Sequence, residues 1–160
     1  PYDSLTISDI VEEADISRAT FYLHYKDKDE LLLGSLEALS QSLIEQLAPS
    51  ETSPLELHTF AHHIYVHVKK QQKLYIALQS SYTASFVIQH HIEQLVVIVE
   101  GMLGHIAPGL PSANQVAHQL IGMLYGQILW WLKHDLKPSA GDMAQTFETF
   151  ALQGIAGMKS

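Results

Sequence analysis

Apolar residues recur along nearly the whole chain at the spacing of one face of an α-helix. Near the start, Ile7, Ile10, Val11 and Ala14 occupy positions i, i+3, i+4 and i+7, which lie on one side of a helix. Alternating apolar and polar runs are short, and the hairpin-forming dipeptides Asn-Gly and Asp-Gly do not occur. The pattern predicts an all-α protein.

Polar residues at the edges of the apolar runs predict where the helices begin. Thr6 and Asp9 have the spacing of a capping box, and Asp27 and Glu30 repeat it. Ser17 stands at the cap position of a second short helix, between Ile16 and Phe21. With Pro49 and Pro138 as stops and Ser53 as a further cap, the predicted helices lie near residues 7–14, 17–24, 27–48, 53–70, 73–80, 85–103, 112–137 and 142–158.

Length and composition limit the class of protein. The 160 residues are about one domain's worth, and 47% apolar against 16% charged residues is not the composition of a disordered chain. There is no cysteine, which excludes disulfides and thiolate zinc sites. The longest apolar runs have five residues, whereas a membrane span needs about 20. We therefore expect a soluble, cytoplasmic protein without a membrane partner or signal peptide.

The charge is unfavourable for a general nucleic-acid binder, because the net value is -8. Residues 1–33 hold three basic and eight acidic side chains, whereas residues 17–28 hold three basic and one acidic. Any binding to DNA must therefore depend on the local placement of basic groups.

Two short helices joined by a tight turn and followed by a capped third helix form the helix-turn-helix layout. The outward positions of the second helix carry Arg18, Thr20, Tyr22 and His24, not the Glu/Lys mixture of a solvated face. This favours a recognition helix over a simple packing unit. Leu23 fits either a contact with DNA or packing beneath the helix.

The stretch TISDIVEEADISRATFYLHYKDKDELL resembles the tetracycline-repressor (TetR) family of transcriptional regulators. Where the family commonly has glycine in the turn, this chain has Asp15, which tolerates the left-handed conformation better than most residues. The matching positions are Thr6, Ile10, Ala14, Ile16, Ser17, Thr20, Phe21, Tyr22, His24, Tyr25, Lys28 and Leu31.

The resemblance implies a helix-turn-helix DNA-binding domain over residues 1–33, with its first helix largely missing. Residues 34–160 would form a helical ligand-sensing bundle that dimerises, and its closing pattern looks like the variant common in Firmicutes. The implied function is a homodimeric, sequence-specific repressor on a palindromic double-stranded DNA operator, released by an unknown small-molecule effector. The alternative is a helical ligand- or metal-binding protein whose helix-turn-helix no longer binds DNA.

Helix ends and side-chain chemistry indicate which residues would contact DNA. Hydroxyls and amides at helix starts suit phosphates, and residues in the first turn of a recognition helix come within reach of base edges. Arg18 could bridge O6 and N7 of guanine, whereas Lys28 is expected at a phosphate. The predicted DNA-binding residues are Thr6, Ser17, Arg18, Ala19, Thr20, Tyr22, His24, Lys26 and Lys28.

Two further sets are expected in the bundle. Aromatic residues of the middle helices are candidates for an effector pocket, although ordinary core packing is the preferred interpretation of each: Tyr65, Tyr75, Tyr82, Phe86, Tyr125 and Trp130. Apolar and small residues of the last two helices form stripes suited to an intermolecular four-helix bundle. This predicted dimer interface comprises Ala117, Ile121, Gly122, Gly126, Leu129, Phe147, Phe150, Ala151, Gly154 and Met158.

The sequence contains ten histidines, a residue type that commonly binds metal ions. His58 with His62 and His63 with His67 are i, i+4 pairs, a spacing that can place two imidazoles on one metal. The segment lacks the glutamate of a metalloprotease helix, and no phosphate loop, nucleophile elbow or paired carboxylates occur. We therefore expect partly exposed histidines without a metal, no cofactor and no enzymatic activity.

Overall fold

The computed structural model describes residues 2–47, 56–78 and 82–158, and every regular element in these ranges is a helix. The all-α prediction is confirmed. A single turn of 3-10 helix at Tyr2–Ser4 precedes eight α-helices: α1 Ile7–Glu13, α2 Arg18–His24, α3 Lys28–Leu47, α4 Leu57–Lys70, α5 Gln72–Leu78, α6 Tyr82–Ile106, α7 Ala113–Lys133 and α8 Ala140–Met158.

Capping hydrogen bonds set the starts of the short helices. Thr6 Oγ1 accepts from the Asp9 amide at 3.3 Å, and the Asp9 carboxylate accepts from the Thr6 amide at 2.8 Å. Its hydrogen bonds with Thr6 hold the pKa of the Asp9 carboxyl below its ordinary value. Ser17 Oγ accepts from the Thr20 amide at 3.0 Å, so both predicted caps are confirmed.

The turn between α1 and α2 depends on one left-handed residue. Asp15 has φ 51°, which confirms the conformation expected of it. The Ile16 amide donates to the Val11 carbonyl at 3.0 Å, and the Asp15 amide donates to the Glu12 carbonyl at 3.2 Å. This pair of bonds is a Schellman motif. It satisfies carbonyls at the end of α1 and fixes the route into α2.

The core lies among the long helices, where α4 packs mainly on α8, and α6 packs on α7 and α3. Trp131 is fully buried, and Tyr65 contacts it edge-on with ring centroids 5.4 Å apart. The Trp131 indole N–H donates to the Pro138 carbonyl at 2.7 Å. This bond attaches the segment after α7 to the core.

Helix α3 crosses the predicted domain boundary between residues 33 and 34 without a break. Near its start, Leu32 and Leu36 form a small cluster to which Tyr2 and Leu74 add partly buried side chains. Towards its end, Leu43 and Leu47 belong to the main core. One helix therefore joins the helix-turn-helix region to the bundle.

Some predicted helix ends differ from those in the structure. Helix α7 ends at Lys133, before Pro138, because Asp135 and Leu136 both take left-handed conformations. Helix α8 begins at Ala140, two residues earlier than predicted, and the Ser139 hydroxyl before it accepts from the Asp142 amide at 3.2 Å. The predicted cap Ser53 lies outside the described residues. No helix in the described ranges is long and apolar enough to cross a membrane.

Replacing Phe147 by alanine tests this packing. The Phe147 side chain is completely buried, so Phe147→Ala should lower the free energy of unfolding by about 3–5 kcal/mol. Chemical denaturation followed by circular dichroism measures the loss. Gln153→Ala, at an exposed position of the same helix, should change stability little, and equal effects of the two substitutions would contradict the assigned core.

Candidate nucleic-acid interface

Helix α2 exposes nearly all of its side chains. Phe21 alone is buried, at 2% exposure, while Tyr22 is 55% exposed. The Phe21 ring lies edge-on to Tyr22, with centroids 5.5 Å apart, and so supports it from below. The following predicted DNA-binding residues are all exposed: Thr6, Ser17, Arg18, Ala19, Thr20, Tyr22, His24 and Lys26.

Hydrogen bonds orient the polar groups at the start of α2. The hydroxyls of Ser17 and Thr20 lie 2.9 Å apart and share a hydrogen bond. The Arg18 guanidinium donates across the turn to the Ser8 hydroxyl of α1. Because a guanidinium has five N–H donors, this bond orients Arg18 and leaves further donors for another group.

Lys28 makes internal contacts that the sequence did not predict. Its ammonium donates to three backbone carbonyls, those of Tyr2 at 3.2 Å, Asp3 at 3.1 Å and Leu5 at 2.9 Å. An ammonium has three N–H donors, so this arrangement uses all of them. In this structure Lys28 therefore holds residues 2–5, and its phosphate contact stays a prediction.

Tyr2 completes this attachment. The Lys28 nitrogen lies 4.7 Å from the centroid of the Tyr2 ring, within the range of a cation–π interaction. The Tyr2 hydroxyl donates to the Asp29 carboxylate at 2.5 Å. Burial, followed by the hydrogen bond to Asp29, raises the pKa of Tyr2 well above its ordinary value. The segment before Thr6 is thus fixed to the start of α3.

The exposure of the Leu23 side chain decides between the two interpretations of this residue. Its side chain is 81% exposed on α2, which excludes packing beneath the helix. A large, isolated apolar side chain therefore projects from the same helix as Arg18 and Tyr22.

Comparison with known proteins agrees with this geometry. Residues 1–34 match the model of bacterial regulatory proteins of the tetR family. The chain is therefore similar to regulators of the tetR family over this N-terminal segment. It is 26% identical over 141 residues to YxbF of Bacillus subtilis strain 168, an HTH-type transcriptional regulator, covering 82% of this chain. The chain spans only 34% of the length of that relative.

The fold of this chain also matches a solved structure. A crystal structure described as a TetR-family transcriptional regulator, from Syntrophomonas wolfei str. Goettingen, superposes with a TM-score of 0.75 at 14% identity. The match covers 97% of this chain and 86% of the other. At that identity the likeness concerns the fold alone, and it includes the helical bundle as well as the helix-turn-helix.

The bundle contains a cavity of about 160 Å³ among α3, α4, α5, α6 and α7. Of the predicted pocket residues, Tyr75 and Tyr125 line it. Tyr65 instead lies in the core, where its hydroxyl donates to Gln127 at 2.5 Å, and Trp130 stacks on His134 at the surface. The side chains of Tyr82 and Phe86 lie outside the described part of the chain.

Most of the residues that line the cavity were not predicted from the sequence. Helix α3 contributes Leu36, Ser40 and Leu43, whose helical spacing indicates a buried face but not what that face encloses. His67 also lines the cavity, edge-on to Tyr75 with centroids 6.0 Å apart. Burial first, and Lys70 second, lower the pKa of His67, and burial raises the pKa of Tyr75 to about 12.

The predicted dimer residues divide into buried and exposed groups. Four pack inside the monomer and are removed from the surface that a partner could contact: Ala117, Ile121, Phe147 and Ala151. Leu129 is half-buried at the cavity wall. The remaining five are exposed, namely Gly122, Gly126, Phe150, Gly154 and Met158.

The histidine pairs do not converge. The rings of His58 and His62 stack in parallel, with centroids 6.0 Å apart and an interplanar angle of 7°. The Nδ1 atom of His63 is buried without a hydrogen-bond partner. Within the described ranges, no group of three or more histidine or acidic side chains is arranged to hold a metal ion.

Lys28→Ala tests the internal role assigned to that lysine. Without the ammonium, the carbonyls of Tyr2, Asp3 and Leu5 lose their shared donor, so the amides of residues 2–5 should exchange faster with deuterium. Hydrogen–deuterium exchange with mass spectrometry measures this. Lys26→Ala, at an exposed position two residues earlier, should leave that exchange unchanged. Unchanged exchange in Lys28→Ala would overturn the assignment.

Proposed function

We propose that the protein is a sequence-specific DNA-binding transcriptional regulator. The observation that carries this proposal is the exposed face of α2, where Arg18, Tyr22 and Leu23 project from a helix held at a fixed angle to α1. Such a helix enters the major groove with its first residues at the base edges. The family match over residues 1–34 supports the same function.

In this proposal, some exposed side chains of α2 and its surroundings contact bases and others contact phosphates. Arg18 bonds to a guanine edge, and Leu23 contacts a thymine methyl group. The starts of the two helices bring further side chains close to the phosphates and the groove. These are Thr6, Ser17, Ala19 and Thr20, and His24 and Lys26 approach the DNA with them.

The functional unit is proposed to be a homodimer on a palindromic operator. Gly122, Gly126 and Gly154 are exposed, and a Cβ atom added at any of them would meet nothing within 4 Å. Packing within one chain therefore does not require glycine, although each costs about 1 kcal/mol relative to alanine inside a helix. Close approach of a second chain accounts for these glycines.

Exposed apolar side chains support the same interface. Phe150 is 60% exposed and Met158 is 50% exposed, both on α8. Helices α7 and α8 of two chains would cover these side chains in a four-helix arrangement. A two-fold dimer of this kind places the two α2 helices about one DNA turn, ~34–36 Å, apart.

We further propose that the regulator is a repressor released by a small molecule bound in the cavity of the bundle. Helix α3 supports this part of the proposal, because it lines the cavity and also begins beside the helix-turn-helix. A ligand that displaces α3 changes the position of α2, and with it the spacing of the two recognition helices.

Arg18→Ala and Lys26→Ala test the interface with DNA. Arg18→Ala should weaken binding to the cognate operator by about 1–3 kcal/mol and relax the preference at one base pair. Lys26→Ala should weaken binding to all sequences alike and reduce the slope of log affinity against log salt by about one unit. Fluorescence anisotropy on selected and random duplexes at several salt concentrations measures both.

The outcomes separate base contacts from phosphate contacts. Equal losses on operator and random DNA for Arg18→Ala would make Arg18 a phosphate contact. Failure of the intact protein to prefer any duplex, with no dependence on salt, would instead favour a helical ligand-binding protein that does not bind DNA.

Phe150→Glu and Gly126→Glu test the dimer. The intact protein should sediment as a dimer at micromolar concentration, and both variants should sediment as monomers because a carboxylate would be buried at the interface. Phe150 is mainly exposed and Gly126 has open space around it, so both variants should keep their helical content. Gln72→Glu, on the exposed side of α5, is the control. A monomeric intact protein would refute the interface.

A further inference from the structure

A second, more polar space lies beside the cavity of the bundle. The first space, here called the chamber, has a volume of about 160 Å³ and is enclosed mostly by leucine and isoleucine side chains of α3, α4, α6 and α7. The second, here called the vestibule, lies between α3 and α6 and is lined by Glu37, Gln41 and Gln94 among others. Ser40 and His91 line both spaces, so the two are adjacent.

The chamber is suited to hold an uncharged part of a ligand that is about the size of one aromatic ring. None of the described residues that line it is aspartate, glutamate, lysine or arginine. An apolar protein cavity of about 150 Å³ holds one benzene molecule, which is close to the volume of the chamber. The buried imidazole of His67 and phenol of Tyr75 stay uncharged near pH 7, since burial lowers the pKa of the first and raises the pKa of the second.

The vestibule is suited to hold the polar end of a bound ligand, provided that this end carries no negative charge. Ser40 is 9% exposed and places a hydroxyl where the two spaces meet. Beyond it, Glu37 is the one acidic side chain among the described residues of the vestibule, which include no lysine or arginine. A carboxylate there attracts a cation and repels an anion, and because Glu37 is exposed the preference amounts to about two- to fivefold in affinity.

We propose that the chamber and vestibule together bind a small amphiphile with a body the size of one aromatic ring and a neutral or cationic polar end. The body lies in the chamber, and the polar end lies in the vestibule beside Ser40 and Glu37. This inference rests on the proposed effector function and names the chemical class of the effector. The amphiphile enters between α3 and α6, where the vestibule meets solvent.

A matched series of three probes tests the proposal by calorimetry in the absence of DNA. 2-Phenylethanol, phenethylammonium and 3-phenylpropionate share one ring and a two-carbon linker but differ in the charge of the polar end. The alcohol and the ammonium should bind with one site per chain, the ammonium about two- to fivefold more tightly, and the propionate should bind most weakly. Binding should also raise the melting temperature as ligand is added.

Two kinds of variant locate the probes. Glu37→Gln should remove the advantage of the ammonium and leave the affinity of the alcohol unchanged, whereas Glu45→Gln, on the exposed side of the same helix, should alter neither. Leu129→Trp and Leu39→Trp each add volume at the chamber wall and should abolish binding of all three probes. Circular dichroism confirms that each variant is folded, and either folded variant suffices for the test.

Several outcomes would overturn the proposal. These are the absence of saturable binding by any probe, tightest binding by the propionate, and binding that persists in a folded tryptophan variant. Because the titrations contain no DNA, such a failure leaves the proposed DNA binding standing. Conversely, probes that bind but leave operator affinity unchanged would refute release by an effector while confirming the site.

Discussion

The continuity of helix α3 is the constraint on which the other parts of this protein depend. Twenty residues of unbroken helix, Lys28–Leu47, form a rod of about 30 Å. One end fixes the segment before α1, the middle closes the chamber, and the last turn lies in the main core. Because α3 is continuous between these contacts, a change of packing around Ser40 would reach the helix-turn-helix through this helix in the proposed mechanism.

Local features of the fold could be predicted from the sequence because local hydrogen bonds determine them. The caps at Thr6 and Ser17 depend on groups three residues away, and the turn at Asp15 depends on carbonyls of the preceding helix. The exposed face of α2 follows from the same periodicity, which leaves Phe21 as its buried side chain. The exposed surface of α2 is therefore predictable from the local sequence alone.

Long-range contacts account for the parts that the sequence could not reveal. Lys28 has the appearance of a surface cation, but its partners are carbonyls 23 to 26 residues away. Phe147 and Phe150 belong to one apolar stripe in the sequence, and only the position of α4 decides that the first is buried and the second exposed. The chamber likewise draws on five helices, and periodicity within one helix does not show which faces will meet.

The internal bonding of Lys28 also affects how such a protein would bind its operator. The Lys28 ammonium is bonded to backbone carbonyls. Among the lysine and arginine side chains of residues 17–28, this leaves Arg18 and Lys26 available to a phosphate. Few counterions would then be released where this surface meets an arbitrary duplex in the proposed complex, so the surface would add little to sequence-independent attachment. Contacts that depend on the base sequence would therefore supply most of what α2 contributes to binding.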